Sequence, residues 1–284
     1  MKLADRLEYA TAADPARNYC LWDYAPVAPA EDKFRSINLL YESFEAGGAP
    51  AEAYRLVDAV RDAIGPFRTV YGVKRTAGRT SWEFYFYDYA RQQRENAVAR
   101  VLQALGPWMP SRLVVNEQLP YFMFSIDVVP GAPLDAVHLY IGNPGSTVSS
   151  GIAYALTEQG CALENFYFFF DAGSQLDEVA DKVMCSAHID PSRVALDDIL
   201  LPALRGCRTI CVANKSGHDC IYFSGVDVEQ LLYFLDRFDH LQTTRSFVRE
   251  HRARFDHLLF DVGFDYRGDG ARVVPIKSGY YGVF

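Results

Sequence analysis

The residues best suited to chemistry in this chain recur out of phase with apolar neighbours. In the run Trp82-Glu83-Phe84-Tyr85-Phe86-Tyr87, Glu83, Tyr85 and Tyr87 fall on one face of an extended strand, and Trp82, Phe84 and Phe86 fall on the other. The same parity separates Ser125 and Asp127 from Phe122, Phe124 and Ile126, and His138 and Tyr140 from Val137, Leu139 and Ile141. A carboxylate or imidazole accepts or delivers a proton, and a phenol ring offers a negative π face to a cation. Glu83, Asp127 and His138 are therefore the candidates for proton transfer. Tyr85, Tyr87, Ser125, Tyr140 and Tyr222 are candidates for lining a partly wet cavity that holds an aromatic or cationic guest. A lone strand histidine also serves readily as a hydrogen-bonded lining residue, so His138 carries both readings.

The elements that must hold these faces recur as hairpins separated by helices. Apolar spacing predicts helices over 31–45 and 51–64, strands over 69–74 and 79–88, and a helix over 90–105 ended by Gly106-Pro107. A second block comes next, with strands near 121–127, 137–141, 152–156 and 166–170 and a helix over 176–184. The third block has a helix over 196–204, a hairpin of 209–213 and 220–224, helices over 229–238 and 244–254, and a last pair, 258–266 and 271–276. Residues 1–30 read as an irregular arm with one or two short helices, broken by Pro15, Pro26 and Pro29. Hairpins between helices point to an α+β fold with an antiparallel sheet rather than a doubly wound parallel one. Closing that sheet into a barrel removes its edges and gives the polar faces one interior. The expectation is one barrel domain over 1–284, with Trp82, Phe84, Phe122, Phe124 and Leu139 turned outward to the helices.

From Pro66 to Phe284 the order of elements resembles the aromatic prenyltransferases of the ABBA, or PT-barrel, fold. The likeness rests on Ser81-Trp82-Glu83-Phe84-Tyr85, on Val137-His138-Leu139-Tyr140-Ile141, on the hairpin 209–223, and on Val262-Gly263-Phe264 with Lys277-Ser278-Gly279-Tyr280-Tyr281-Gly282. The resemblance implies a barrel that binds an allylic prenyl diphosphate beside an aromatic small molecule or peptide side chain and transfers the prenyl group. It further implies that Tyr85, Tyr87, Tyr140, Tyr167, Tyr222 and Tyr280 shield the cation. Where the family sets lysines and arginines on the strands, this chain has Glu83, Ala136-Val137-His138, Phe169-Phe170-Asp171 and Ser224-Gly225. That departure predicts a lining rich in carboxylates, Glu83, Asp127, Asp171 and Asp261, with no lysine or arginine at its centre. Lys74, Arg79, Lys215 and Lys277, near strand ends, are the weaker candidates for holding a diphosphate. No cofactor is demanded, but Mg²⁺ bridging a carboxylate to the phosphates would relieve the repulsion. The alternative is a divergent barrel without prenyl transfer, binding a cationic or aromatic compound or acting as a cyclase or isomerase.

The totals narrow the class. Half of the 284 residues are apolar and 14% are aromatic, enough for a large core with aromatic side chains to spare. A net charge of −8 argues against a nucleic-acid or anionic-membrane surface. The opening Met1-Lys2-Leu3-Ala4-Asp5-Arg6 lacks an apolar signal core and no run suits a membrane span, so the expected setting is soluble and cytoplasmic. Cys207, Cys211 and Cys220 with His218 imitate a zinc spacing, but their apolar surroundings predict core thiols and no metal site. Gly142-Asn143-Pro144-Gly145 has no phosphate-loop lysine, and Asp265-Tyr266-Arg267-Gly268-Asp269-Gly270 has no closing glutamate for calcium.

Overall fold

The computed structural model describes residues 3–89, 94 and 96–284. Ten antiparallel strands close into a barrel: β1 (Thr69–Thr76), β2 (Arg79–Tyr87), β3 (Tyr121–Val128), β4 (Val137–Gly142), β5 (Ser149–Thr157), β6 (Gly160–Asp171), β7 (Thr209–Lys215), β8 (Asp219–Val226), β9 (Phe260–Asp269) and β10 (Arg272–Val283). Each strand pairs with its sequence neighbours, and β10 returns to β1, with Val73 opposite Tyr280. No sheet edge is left to pair with another chain.

Among the described residues seven α-helices lie outside the barrel: α1 (Ile37–Ala46), α2 (Ala51–Ile64), α3 (Val98–Leu105), α4 (Leu176–Met184), α5 (Val228–Arg237), α6 (Gln242–Glu250) and α7 (Arg252–Phe255). Their apolar stripes cover the outward strand residues, and the main core lies between helices and barrel. Trp82, Phe84, Phe86, Phe124, Leu139, Phe223 and Phe264 are buried there. The Trp82 indole N–H donates to Ser43 Oγ of α1 at 2.9 Å, so the ring buries its area without orphaning its polar atom. At the start of α5, Asp227 accepts from the Gln230 amide at 2.8 Å and Gln230 accepts from the Asp227 amide at 3.1 Å, a reciprocal cap.

The five hairpin turns gather at one end, the mouth. The β1–β2 turn is Ala77-Gly78, both at positive φ (43° and 85°), the geometry whose twist matches the flanking strands. The connections carrying α3, α4 and α5–α7 cross at the opposite end, the floor, whereas β4 reaches β5 through residues 143–148 alone.

Several expectations need correction. The helix predicted over 196–204 is two 3-10 turns, Leu196–Asp198 and Pro202–Leu204, because Pro202 lacks an N–H and biases Leu201 away from helical angles. The helix predicted over 244–254 breaks at His251 into α6 and α7. Among the described residues of the arm only Leu3–Asp5 forms a turn of 3-10 helix. The predicted start of α3 near 90 falls outside the described residues. Phe122 faces inward rather than toward the helices: β3 slips register against β4 between Tyr121 and Met123, so Phe122 and Met123 both line the interior.

Candidate functional site

The inward positions form three layers along the barrel axis. At the mouth Lys74 of β1, Glu83 of β2, Asp127 of β3, His138 of β4, Glu164 of β6, Lys215 of β7 and Lys277 of β10 line an open cavity of about 350 Å³. Asp265 of β9 is buried beneath Lys215 and Lys277. The mouth is therefore not lined by carboxylates alone, and its lysines are three of the four candidates expected near strand ends. Three lysines reach in from strand ends, because their long stems carry the ammonium groups away from the turns toward buried carboxylates.

The mouth holds three charge networks. Glu83 accepts from Ser125 Oγ at 2.8 Å and from the Tyr85 hydroxyl at 2.7 Å, and it pairs with the Lys74 ammonium. Burial and the neighbouring Lys277 and Lys215 charges push Lys74 down to about 7, while the Asp127 and Asp265 carboxylates work against that shift. The second network is His138, whose Nδ1 lies 2.7 Å from Glu164 Oε2 and whose Nε2 lies 3.9 Å from Asp127 Oδ2. Burial alone would lower the imidazole, but the two carboxylates outweigh it and raise His138 to about 9. With that shift the imidazolium form prevails at neutral pH, the form that donates a proton. The third network is Asp265, which receives Lys215 at 2.9 Å, His218 at 3.0 Å and Lys277 at 3.3 Å. Burial would raise its carboxyl, yet His218 and the two ammonium groups hold it well below the usual range.

Below the charges lies a belt of tyrosines, Tyr85, Tyr140, Tyr167, Tyr222 and Tyr281, whose neighbouring ring centroids stand 5.6 to 6.4 Å apart. Burial keeps every one of these phenols protonated. Two inward glycines make room for the belt. A Cβ at Gly72 would sit 2.7 Å from the Tyr281 ring, and one at Gly263 would sit 2.4 Å from the Tyr222 ring. The third layer, the floor, is a tight apolar cavity of about 40 Å³ lined by Tyr87, Phe122, Met123, Phe169, Cys211 and Asp261, and by Tyr19 and Cys20 of the arm.

The candidates from sequence thus divide. Glu83, Asp127, His138, Tyr85, Tyr140, Tyr167, Tyr222, Lys74, Lys215 and Lys277 share the mouth cavity, with Ser125 bonded just beneath it. Tyr87 lies at the floor. Tyr280 points out to the helices against His240, and Tyr281 takes the inward place. The cause is a slip in β10 between Pro275 and Lys277, which resets the parity of everything after it. Arg79 is exposed where β2 begins, and Asp171 is exposed at the end of β6; neither joins the cavity. Sequence reasoning gave no site role to Glu164, His218, Asp265, Tyr281 or Tyr19. His218 and Asp265 stood in view only as parts of imitation metal motifs, and Glu164 is itself the extra residue where β6 slips register against β5, between Leu163 and Asn165.

No group of three or more His, Cys, Asp or Glu among the described residues is arranged to hold a metal ion. The residues offered for Mg²⁺ do not fit one: Glu83 is engaged by Ser125, Tyr85 and Lys74, and Asp127 faces His138. The cysteines are free among the described residues; Cys207 belongs to the outer core, whereas Cys211 lines the floor. No described helix is long and apolar enough to cross a membrane. No protein-family model matches the chain, and no curated protein is significantly similar to it.

Proposed function

We propose that the barrel is an aromatic prenyltransferase, taking an allylic prenyl diphosphate with its phosphates at the mouth and its prenyl chain among the tyrosines. The observation that carries this reading is the convergence of Lys74, Lys215 and Lys277 on one open cavity directly above a tyrosine belt. A diphosphate needs opposite charge where water is scarce, and an allylic cation needs π faces that do not react with it. In this reading the lysines exchange carboxylate partners for phosphate oxygens. The bond from C1 to the diphosphate oxygen breaks, pyrophosphate leaves with the electron pair, and the acceptor arene bonds to C1. Protonated His138 donates hydrogen bonds to the departing oxygens. The acceptor's proton passes to Glu83, the carboxylate that the Ser125 and Tyr85 hydroxyls hold in place. The partners are then a prenyl diphosphate and an aromatic small molecule or side chain, met in the cytoplasm, where free thiols persist.

One observation favours a second reading. The cations at the mouth are already matched by Glu83, Asp127, Glu164 and Asp265, so the cavity is close to neutral before a ligand enters. Such a mouth also suits a zwitterionic or cationic aromatic compound, bound or cyclised without prenyl transfer. Calorimetry with geranyl diphosphate in metal-free buffer separates the two. Micromolar or tighter binding, weakened at least tenfold in Lys215→Met, together with a prenylated product by mass spectrometry, supports transfer. Absence of binding by the parent protein ends that reading and leaves the second.

A further inference from the structure

The floor of the barrel is filled by the chain's own arm. Tyr19 enters from the end opposite the mouth, and its ring lies 5.0 Å from Tyr281, 5.3 Å from Tyr85, 6.1 Å from Tyr87 and 6.5 Å from Tyr222. Its backbone N–H donates to the buried carboxylate of Asp261, which also accepts from the Gly225 amide at 3.1 Å. Asn18 Nδ2 donates to Ser224 Oγ at 3.2 Å, and the Tyr89 hydroxyl donates to the Cys20 carbonyl at 2.8 Å.

The fit of this segment is incomplete. Leu21 sits at φ 53°, a left-handed conformation unfavourable for a branched side chain. Asn18 Oδ1 is buried with no hydrogen-bond partner, and so is the hydroxyl of Tyr87 on the floor wall. A wall of strands thus surrounds an occupant that is bonded to it at Asn18, Tyr19 and Cys20 yet strained at Leu21, with the buried Tyr87 hydroxyl beside it lacking a partner.

We propose that residues 18–21 are a removable plug, and that the compartment they fill is a binding site for one phenol-sized aromatic ring supplied from outside. The wall supplies edge and face contacts to a flat ring, and the Tyr87 hydroxyl supplies a hydrogen bond to a polar substituent on it. Plug and ligand compete, so the apparent affinity is reduced by the fraction of molecules in which the plug is in place. The compartment adjoins the tyrosine belt, since Tyr19 touches Tyr85, Tyr222 and Tyr281; ring binding is read without any prenyl diphosphate, so its failure is distinct from a failure of prenyl transfer.

The probe is p-cresol, the tyrosine side chain without its backbone. Calorimetry on the full chain should show Tyr19→Ala binding p-cresol at least tenfold more tightly than the parent protein. The parent should still bind weakly, and p-cresol should speed amide hydrogen exchange at Tyr19, Cys20 and Leu21. If Tyr19→Ala binds but the parent shows neither binding nor faster exchange, the segment is a fixed part of the fold and the proposal fails. If a folded Tyr19→Ala, checked by its thermal transition, binds no p-cresol, the compartment is not a ring site and the proposal also fails. Should Tyr19→Ala not fold, exchange on the parent protein decides alone, with unchanged protection overturning the idea.

Discussion

Asp261 and Asp265 lie on one strand, on one inward face, with only Gly263 between them on that face, and they are held in opposite ways. Asp265, at the mouth, is surrounded by Lys215, Lys277 and His218 and stays ionised far below the normal range. Asp261, at the floor, is met by the amides of Tyr19 and Gly225 and the Ser224 hydroxyl, and burial pushes it up to about 7. The difference lies in what the opposite strands bring. Inside a barrel of low dielectric, burial alone neutralises a carboxylate, and a ring of cations reverses the sign. The mouth thus keeps its carboxylate charged by pairing it, and the floor keeps its carboxyl close to neutral among aromatic rings.

The largest test of this contrast removes the mouth's anchor. Asp265→Ala leaves the mostly covered Lys215 and the partly exposed Lys277 and His218 without their buried carboxylate, and urea denaturation should show a loss of about 3 kcal/mol. A loss below about 1 kcal/mol would mean that water screens the network and that the two ends differ little. Next in size is Gly263→Ala, between the two aspartates. Its Cβ would meet the Tyr222 ring at 2.4 Å and the Ile221 carbonyl at 3.0 Å, so a cost of about 1–3 kcal/mol is expected in the same assay.

The pH dependence sharpens the comparison because the two carboxylates act with opposite sign. Asp265, depressed on folding, contributes stability above its unfolded pKa near 3.8 and loses it as pH falls toward its folded value. Asp261, raised to about 7, contributes nothing below 3.8 and a growing penalty from there to about 7, where the folded protein also ionises. Asp261→Asn should therefore gain stability relative to the parent across that window, by about 1 kcal/mol per pH unit, as read from denaturation curves at pH 4, 5, 6 and 7. A constant difference between the two proteins would show that Asp261 is ionised throughout. The smallest effect belongs to His138, which is partly exposed. NMR titration should place its midpoint near 9, and Glu164→Gln should bring it down toward 6.5. Its stabilising share is complete below 6.5 and lost as pH rises through 9.

Much of this arrangement is legible locally. Side-chain parity along a strand depends on the strand alone, so Glu83 with Tyr85 and Tyr87, Ser125 with Asp127, and His138 with Tyr140 are read onto the inward face without knowing what lies opposite. The hairpins separated by helices, and the apolar faces of Trp82, Phe84 and Phe124, likewise come from periodicity and turn residues, and with them the closed antiparallel barrel. Tertiary structure decided the rest. Slips in register at Phe122, after Ala153 and at Ile276 shift the parity of the residues beyond them, which moved Phe122 inward and exchanged Tyr280 for Tyr281. The lysines lie near turns, and only the buried carboxylates of other strands, such as Asp265 fifty residues beyond Lys215, draw them into the mouth. Tyr19 carries no periodic signal at all; its place at the floor exists only once ten strands have closed around it. Parity is a property of one strand, whereas register, charge pairing and closure join strands far apart in the chain, and no local pattern encodes them.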